Sequence, residues 1–198
     1  MSAETKNRLR RRSVRLLLPV TGFVFGTAIA LAQTEWSDPH QRFGNWTGDL
    51  LLGKSDESVV ARAYRARHQL FALSTDQALY FYLRKDEHGR PLRGECSYVL
   101  TGIEPPGRWW SLTAYGTDGF LIREAEGRFS VAAKTNPKSP QPLSVIIGSR
   151  GAAATPDIVT AQKRPFYLIL RVYAPEQVKP DAWVRILPQA RQIGCARS

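Results

Sequence analysis

Residues Phe166 to Tyr173 read FYLILRVY, an aromatic and apolar run broken only by Arg171 and bounded by Pro165 and Pro175. A run this short, rich in aromatic and branched residues and closed by prolines, is the signature of a buried strand. The same pattern recurs upstream. Ala78–Arg84 (ALYFYLR), Cys96–Thr101 (CSYVLT), Trp109–Tyr115 (WWSLTAY) and Leu143–Gly148 (LSVIIG) all read as strands, with shorter ones at Phe120–Arg123 and Arg128–Ala132. Between them lie turn signals: Asp86–Gly89, Glu104-Pro105-Pro106-Gly107, Gly116-Thr117-Asp118-Gly119, the three-proline stretch Lys134–Pro142, and a small-residue loop running to Thr160. Downstream, Glu176–Trp183 reads as one or two helical turns and Val184–Leu187 as a last strand before the tail reaches Cys195. Many short strands at near-regular spacing predict a mainly β, antiparallel fold, a sandwich or a jelly roll.

One helix is expected ahead of the strands. Ser55 has the character of an N-cap, with Asp56 and Glu57 in the first turn at the positive end of the helix dipole. Val59, Ala63, Ala66, Leu70 and Leu73 then recur at helical spacing, predicting one apolar face and an end near Ser74. Thr34–Gly53 has no clear period and reads as a linker that lays Trp36, Phe43 and Trp46 onto the domain.

The first thirty-two residues differ from the rest. A basic stretch, Arg8–Arg15, precedes the uncharged run Leu16–Ala32 (LLLPVTGFVFGTAIALA) and the polar Gln33-Thr34-Glu35. That order is the pattern of an export signal, with Ala30-Leu31-Ala32 placing a cleavage site between Ala32 and Gln33. The run is at the short edge for a membrane span, so a retained anchor is equally consistent. Arg11-Arg12 forms a partial twin-arginine pattern, weakened by Arg15. The organisation expected is therefore 1–32 signal or anchor, 33–53 linker and 54–198 β domain, with the β domain in the periplasm or anchored at the periplasmic face of the inner membrane.

Export also explains the charge. Of the formal net charge of +11, residues 1–32 supply +5, from Lys6, Arg8, Arg10, Arg11, Arg12 and Arg15 against Glu4. The remaining +6 is scattered and mixed with acids, which excludes the concentrated basic face of a nucleic-acid binder. Cys96 and Cys195 are the only cysteines. They are too few for a zinc site, and in an oxidising compartment they read as a disulfide pinning the C-terminal tail to an early strand.

No catalytic set stands out. His40, His68 and His88 share no ligand spacing, so neither metal nor cofactor is expected. Gly148-Ser149-Arg150-Gly151 is an incomplete nucleophile motif in a small-residue loop. Gly48-x-x-x-x-Gly53-Lys54-Ser55 matches a phosphate-loop spacing but lacks the parallel sheet and acidic strand that such a loop serves. Glu95, Glu104, Asp118 and Glu124 lie near strands without forming an evident pair. The aromatic strands are the remaining signal. Tyr80, Tyr82, Tyr98, Trp109, Trp110, Tyr115 and Tyr173 can stack on a ligand, with Arg108 and Arg171 adding charged contacts. Trp109 and Trp110 must point to opposite faces, one into the core and one outward.

Ala78-Leu79-Tyr80-Phe81, Gly94-Glu95-Cys96-Ser97-Tyr98, Arg108 to Tyr115, Asp118-Gly119-Phe120-Leu121 and Leu170 to Pro175 together resemble the bacterial domain of unknown function numbered 1214, over roughly Gly53 to Cys195. The resemblance implies a jelly-roll-type sandwich, often behind a membrane segment. Longer relatives carry a preceding domain numbered 1254, so this chain reads as a stand-alone membrane-targeted form. It implies no reaction and no catalytic residue. The expectation is a non-enzymatic envelope module that binds a glycan, a lipid or a protein. The alternatives are a polysaccharide hydrolase or lyase and a structural accessory subunit of a membrane complex.

Overall fold

In the computed structural model, strands form where aromatic and branched residues alternate between two environments. The structure describes residues 18–32, 40–52, 54, 57–68, 73–122, 127–133, 141–149, 155–160 and 164–195. In chain order the strands are β1 (Gln41–Phe43), β2 (Trp46–Gly48), β3 (Ala78–Leu83), β4 (Cys96–Ile103), β5 (Gly107–Gly116), β6 (Ser130–Ala132), β7 (Pro142–Gly148), β8 (Ile158–Val159), β9 (Phe166–Pro175) and β10 (Gln189–Cys195). The helices are α1 (18–32), α2 (Val59–His68) and the single turn α3 (Trp183–Ile186). The chain divides into two compact units: Met1–Pro39 with Glu57–Ala72, and His40–Asp56 with Leu73–Ser198.

Among the described residues the second unit holds every strand. One six-stranded sheet has the order β1-β2-β3-β9-β5-β6, and its neighbours all run antiparallel. A four-stranded sheet has the order β10-β4-β7-β8, antiparallel except for the parallel pair β7–β8. The two sheets share one hydrophobic core. Leu79, Phe81 and Leu83 of β3, Leu112 and Ala114 of β5 and Leu168, Leu170 and Val172 of β9 enter it from the large sheet. Tyr98 and Leu100 of β4 and Val145 and Ile147 of β7 enter it from the small one. Tyr98 meets Phe166 edge-on across this core, with ring centroids 6.0 Å apart.

Several expectations are corrected. The segment read as a linker contains the β1–β2 hairpin, turned at Gly44 with a positive φ of 64°. Phe43 and Trp46 do lie on the domain: both are buried, Phe43 against Phe81, and the Trp46 indole N–H donates to the Pro188 carbonyl at 2.8 Å. Trp36 lies outside the described residues. The stretch Val184–Leu187 is not a strand. Trp183 and Leu187 are both buried, and a spacing of four puts them on one side of a helical turn closed by Leu187 N–H to Trp183 O at 2.9 Å. A strand would have drawn Arg185 inward with them. The last strand is instead β10. In the stretch read as a strand at Phe120–Arg123, the described residues 120–122 carry a single bridge, Leu121 opposite Tyr115, and Arg123 lies outside the described residues; the small-residue loop before Thr160 contains β8.

In the first unit, α2 is capped by Ser58, whose Oγ accepts the Ala61 N–H at 3.1 Å. The expected cap Ser55, with Asp56, lies outside the described residues. The helix ends at His68, short of Ser74, which opens a turn accepting the Gln77 N–H. Val59, Ala63 and Ala66 are exposed, so the expected apolar face is not buried, and Leu70 is outside the described residues. α1 ends at Ala32; Gln33 and the basic stretch before it are outside the described residues. Among the described residues no helix is long and apolar enough to cross a membrane.

Cys96 and Cys195 form the expected disulfide, directly opposite one another in the β4–β10 register and 99 residues apart in sequence. A second anchor lies at the β3–β4 connection. Asp86 is buried and its carboxylate accepts the N–H groups of His88 and Arg90 and the Arg90 Nε–H, each at 2.9 Å. Arg90 in turn donates to Gln192 on β10 at 2.7 Å. Burial alone would raise the Asp86 pKa, but the hydrogen bonds from Arg90 and His88 and the Arg90 charge together hold it below the usual carboxylate value.

Reducing the disulfide removes a crosslink over 99 residues. The Cys96→Ser/Cys195→Ser variant is therefore expected to lose roughly 3–5 kcal/mol, read as a lower denaturant midpoint. Because the Asp86 pKa is depressed in the fold, its contribution is present above about pH 4 and is lost as pH falls through the folded value. Acid unfolding of Asp86→Asn is accordingly expected to be shallower than that of the unmodified chain, with the difference confined to the acid limb.

Candidate ligand-binding face

Strand alternation that fills the core from β3, β5 and β9 sends the intervening residues to the outer face of the large sheet. The register then sets them in rows. Tyr82 lies beside Ile169 and Thr113, and Tyr80 beside Arg171 and Ser111. Ala78 lies beside Tyr173 and Trp109, and Tyr167 faces Tyr115. Six of the residues singled out from sequence are thereby brought onto one side of the sheet: Tyr80, Tyr82, Trp109, Tyr115, Arg171 and Tyr173, with Tyr82 buried there.

The aromatics gather into two groups. At one end Trp109 and Tyr173 pack at 5.1 Å with a 46° tilt, and the Trp109 indole N–H donates to the Ala133 carbonyl at 3.3 Å. Trp109 remains 40% exposed, which leaves part of its ring open to a ligand. At the other end Tyr115 and Tyr167 stack at 5.8 Å and 20°. Arg171 donates to the Tyr115 hydroxyl at 2.8 Å, and its guanidinium lies 5.5 Å from that ring's centre. It also reaches Thr113 Oγ1 at 3.4 Å, which exchanges a 3.0 Å hydrogen bond with Ser130. Arg84, one residue beyond β3, sits 5.0 Å from the Tyr82 ring and 5.5 Å from the Tyr167 ring and donates to Thr47 at 3.1 Å. His40 meets Tyr82 edge-on at 5.0 Å.

Loss of hydration raises the Tyr167 phenol pKa, opposed by the Arg84 charge and reinforced by Tyr115 and Asp118. The hydroxyl is thus held as a neutral donor and acceptor. Tyr80 contributes its hydroxyl to the Leu73 N–H at 3.1 Å, an anchoring bond.

Three sequence candidates fall elsewhere. Tyr98 and Trp110 are core residues, 2% and 6% exposed. Tyr98 is held by the Arg93 N–H donating to its hydroxyl at 3.0 Å. Arg108 is exposed, but alternation sets it on the side opposite Trp109. Tyr167, Arg84, Thr113 and Thr47 were not singled out. Period-two counting from Tyr173 through Arg171 places Tyr167 on the same face. Arg84 and Thr47 arrive only through the β2–β3 pairing.

A separate cleft of about 420 Å³ opens at the sheet edge between β5–β6 and β7, lined by Trp110, Val131, Leu143, Glu104 and Asp157 among others. It contains two carboxylates, but Asp157 Oδ2 accepts the Ile146 N–H at 2.8 Å and so closes the β7–β8 connection. Among the described residues no group of three His, Cys, Asp or Glu is placed to hold a metal. Gly48, the first glycine of the phosphate-loop spacing, sits on β2 with no room for a side chain. A Cβ there would lie 2.7 Å from Phe81 Cδ1 and 2.9 Å from the Tyr80 carbonyl oxygen. Its glycine is explained by sheet packing.

A mainly β, two-sheet unit carrying an aromatic outer face is the class that fold and site define. The chain belongs to the family described as protein of unknown function (DUF1214), whose model matches residues 77–177. No curated protein matches the chain. Among solved structures, the VPA0106 protein of Vibrio parahaemolyticus is similar at 21% identity with a TM-score of 0.58. That match covers 90% of this chain and 45% of the other, so the chain spans less than half the length of that protein, and the likeness bears on fold alone.

Two measurements check this geometry. Tyr167→Phe removes a phenol that ionises above the ordinary tyrosine value of about 10, so its alkaline ultraviolet difference spectrum should lose amplitude on the high-pH side. Gly48→Ala is expected to cost roughly 1–3 kcal/mol in denaturant unfolding through overpacking against Phe81 and the Tyr80 carbonyl.

Proposed function

We propose that the chain is an exported envelope protein whose β unit is a non-enzymatic, jelly-roll-type module that binds a glycan chain on the outer face of the large sheet. The observation that carries this reading is the pair of aromatic groups on one face, Trp109–Tyr173 and Tyr115–Tyr167. Trp109 and Tyr115 are six residues apart on β5, roughly 20 Å along an extended strand, the length of several sugar rings. Between them lies the half-buried Arg171, whose guanidinium can donate to hydroxyls, while Ser111 and Thr113 beside it are buried. Such a mixed face suits an extended polar ligand with flat apolar patches better than a lipid surface, which favours an unbroken apolar one.

Topology supports the jelly-roll description, because the chain alternates between sheets from β3 to β4 to β5 and again from β8 to β9 to β10. The disulfide supports delivery to an oxidising compartment such as the periplasm. α1 supports membrane contact through the N-terminal segment, as cleaved signal or as anchor, since Phe23, Val24, Phe25 and Ile29 are all exposed on it. A polysaccharide hydrolase draws less support. The sheet-edge cleft holds Glu104 and Asp157, but Asp157 is engaged in closing a strand connection, and a glycosidase needs two carboxyls free to act.

The test is calorimetric titration of the folded chain with soluble oligosaccharides of four or more rings. Binding should be measurable, and the Trp109→Ala/Tyr173→Ala variant should bind about tenfold or more weakly, a loss of roughly 1.4 kcal/mol or more, at unchanged circular dichroism. Absence of binding to every oligosaccharide overturns the proposal.

A further inference from the structure

The chemistry of the Tyr115–Tyr167 end narrows the ligand class. Two guanidiniums bracket this stack. Arg171 lies against Tyr115, while Arg84 lies against Tyr82 and Tyr167. Each donates to neutral oxygens, Arg84 to Thr47 and Arg171 to Tyr115 and Thr113. A guanidinium has five N–H donors, so both keep donors to spare. Among the described residues neither meets a carboxylate: the ion pairs found are His88–Glu87, Arg90–Asp86 and Arg93–Glu95. Asp118, the acid at this end of the face, is exposed and its Oδ1 accepts the Phe120 N–H at 3.1 Å.

Arg84 and Arg171 are thus two positive charges beside one aromatic stack that form no ion pair among the described residues. Aromatic contact and hydroxyl acceptors offset part of the desolvation of Arg171, but they leave the charge itself unmatched. The planar fork of arginine matches a carboxylate or sulfate in two-point contact.

We infer that the ligand is an acidic glycan whose carboxylate or sulfate is taken by Arg84 and Arg171 at the Tyr115–Tyr167 stack. This inference rests on the glycan-binding reading of the same face. It adds that binding is selective for negative charge, is weakened by salt, and is concentrated at the β3–β9–β5 end away from Trp109.

The experiment is calorimetric titration of the full chain with tetragalacturonate, with cellotetraose as the neutral counterpart, at low and at physiological salt. The expected result is that tetragalacturonate binds at least about tenfold more tightly than cellotetraose and loses affinity as salt rises. Arg84→Gln lies on an exposed side chain and should abolish that preference without shifting the melting temperature. Arg84→Lys should restore it only in part, because the two-point contact is lost. Arg171→Gln should act in the same direction, with Arg84→Gln deciding the matter if that variant folds poorly. Equal affinity for the two oligosaccharides, or a preference that survives Arg84→Gln, overturns the acidic-ligand inference and leaves glycan binding standing. Absence of binding to either overturns the acidic-ligand inference. Binding to vesicles containing phosphatidylglycerol with none to tetragalacturonate also overturns it, and assigns the arginines to lipid headgroups.

Discussion

The register of β9 is the constraint on which the rest of this protein depends. β9 is paired along its length by β3 on one side and β5 on the other. Its even-numbered residues, Phe166, Leu168, Leu170 and Val172, enter the core. Its odd-numbered residues, Tyr167, Ile169, Arg171 and Tyr173, form the outer face. A slip of one residue would exchange the two sets and place Arg171 among buried leucines, a loss no neighbouring group could offset. Core and candidate site are therefore two sides of one pairing decision. The aromatic face is as rigid as the sheet, which favours a ligand bound without reorganisation.

Covalent and polar ties hold the other end of the molecule to this frame. Among the described residues β10 pairs with β4 alone, so it is an edge strand held from one side. Three contacts secure it: the Cys96–Cys195 disulfide, the Arg90–Gln192 hydrogen bond and the Glu87 carboxylate accepting the Gln192 N–H at 3.0 Å. All converge on the strand's C-terminal half. The preceding turn is held separately by Trp183 against Phe81, at 4.9 Å, and by Trp46 bonded to Pro188. The hairpin β1–β2 and the C-terminal segment thus support each other, though more than 130 residues separate them. A local reading of either stretch misses the partner that orders it, and that is why one looked like a linker and the other like a strand.

The candidate face shows the same division. The strand sequences made Trp109 and Trp110 opposite in orientation, and the structure places Trp110 in the core and Trp109 outside. They also marked Tyr80, Tyr82, Tyr115, Arg171 and Tyr173 as aromatic or charged strand positions. They could not separate Tyr98 from these, because Tyr98 lies on the other sheet, whose inward side accommodates a buried phenol held by the Arg93 N–H. Nor could they supply Arg84 and Thr47, which reach the face through the pairing of β2 with β3.

The sequence by itself determined the β class, the family, the positions of the long strands and the disulfide partners, since each rests on local alternation, on turn residues or on there being two cysteines. Only the tertiary structure decided which side of each strand faces out, which strands are neighbours, and that Arg84 and Arg171 bracket one tyrosine stack. Those properties depend on pairing between distant segments, and period two alone leaves the choice of face open until a neighbouring sheet buries one of them.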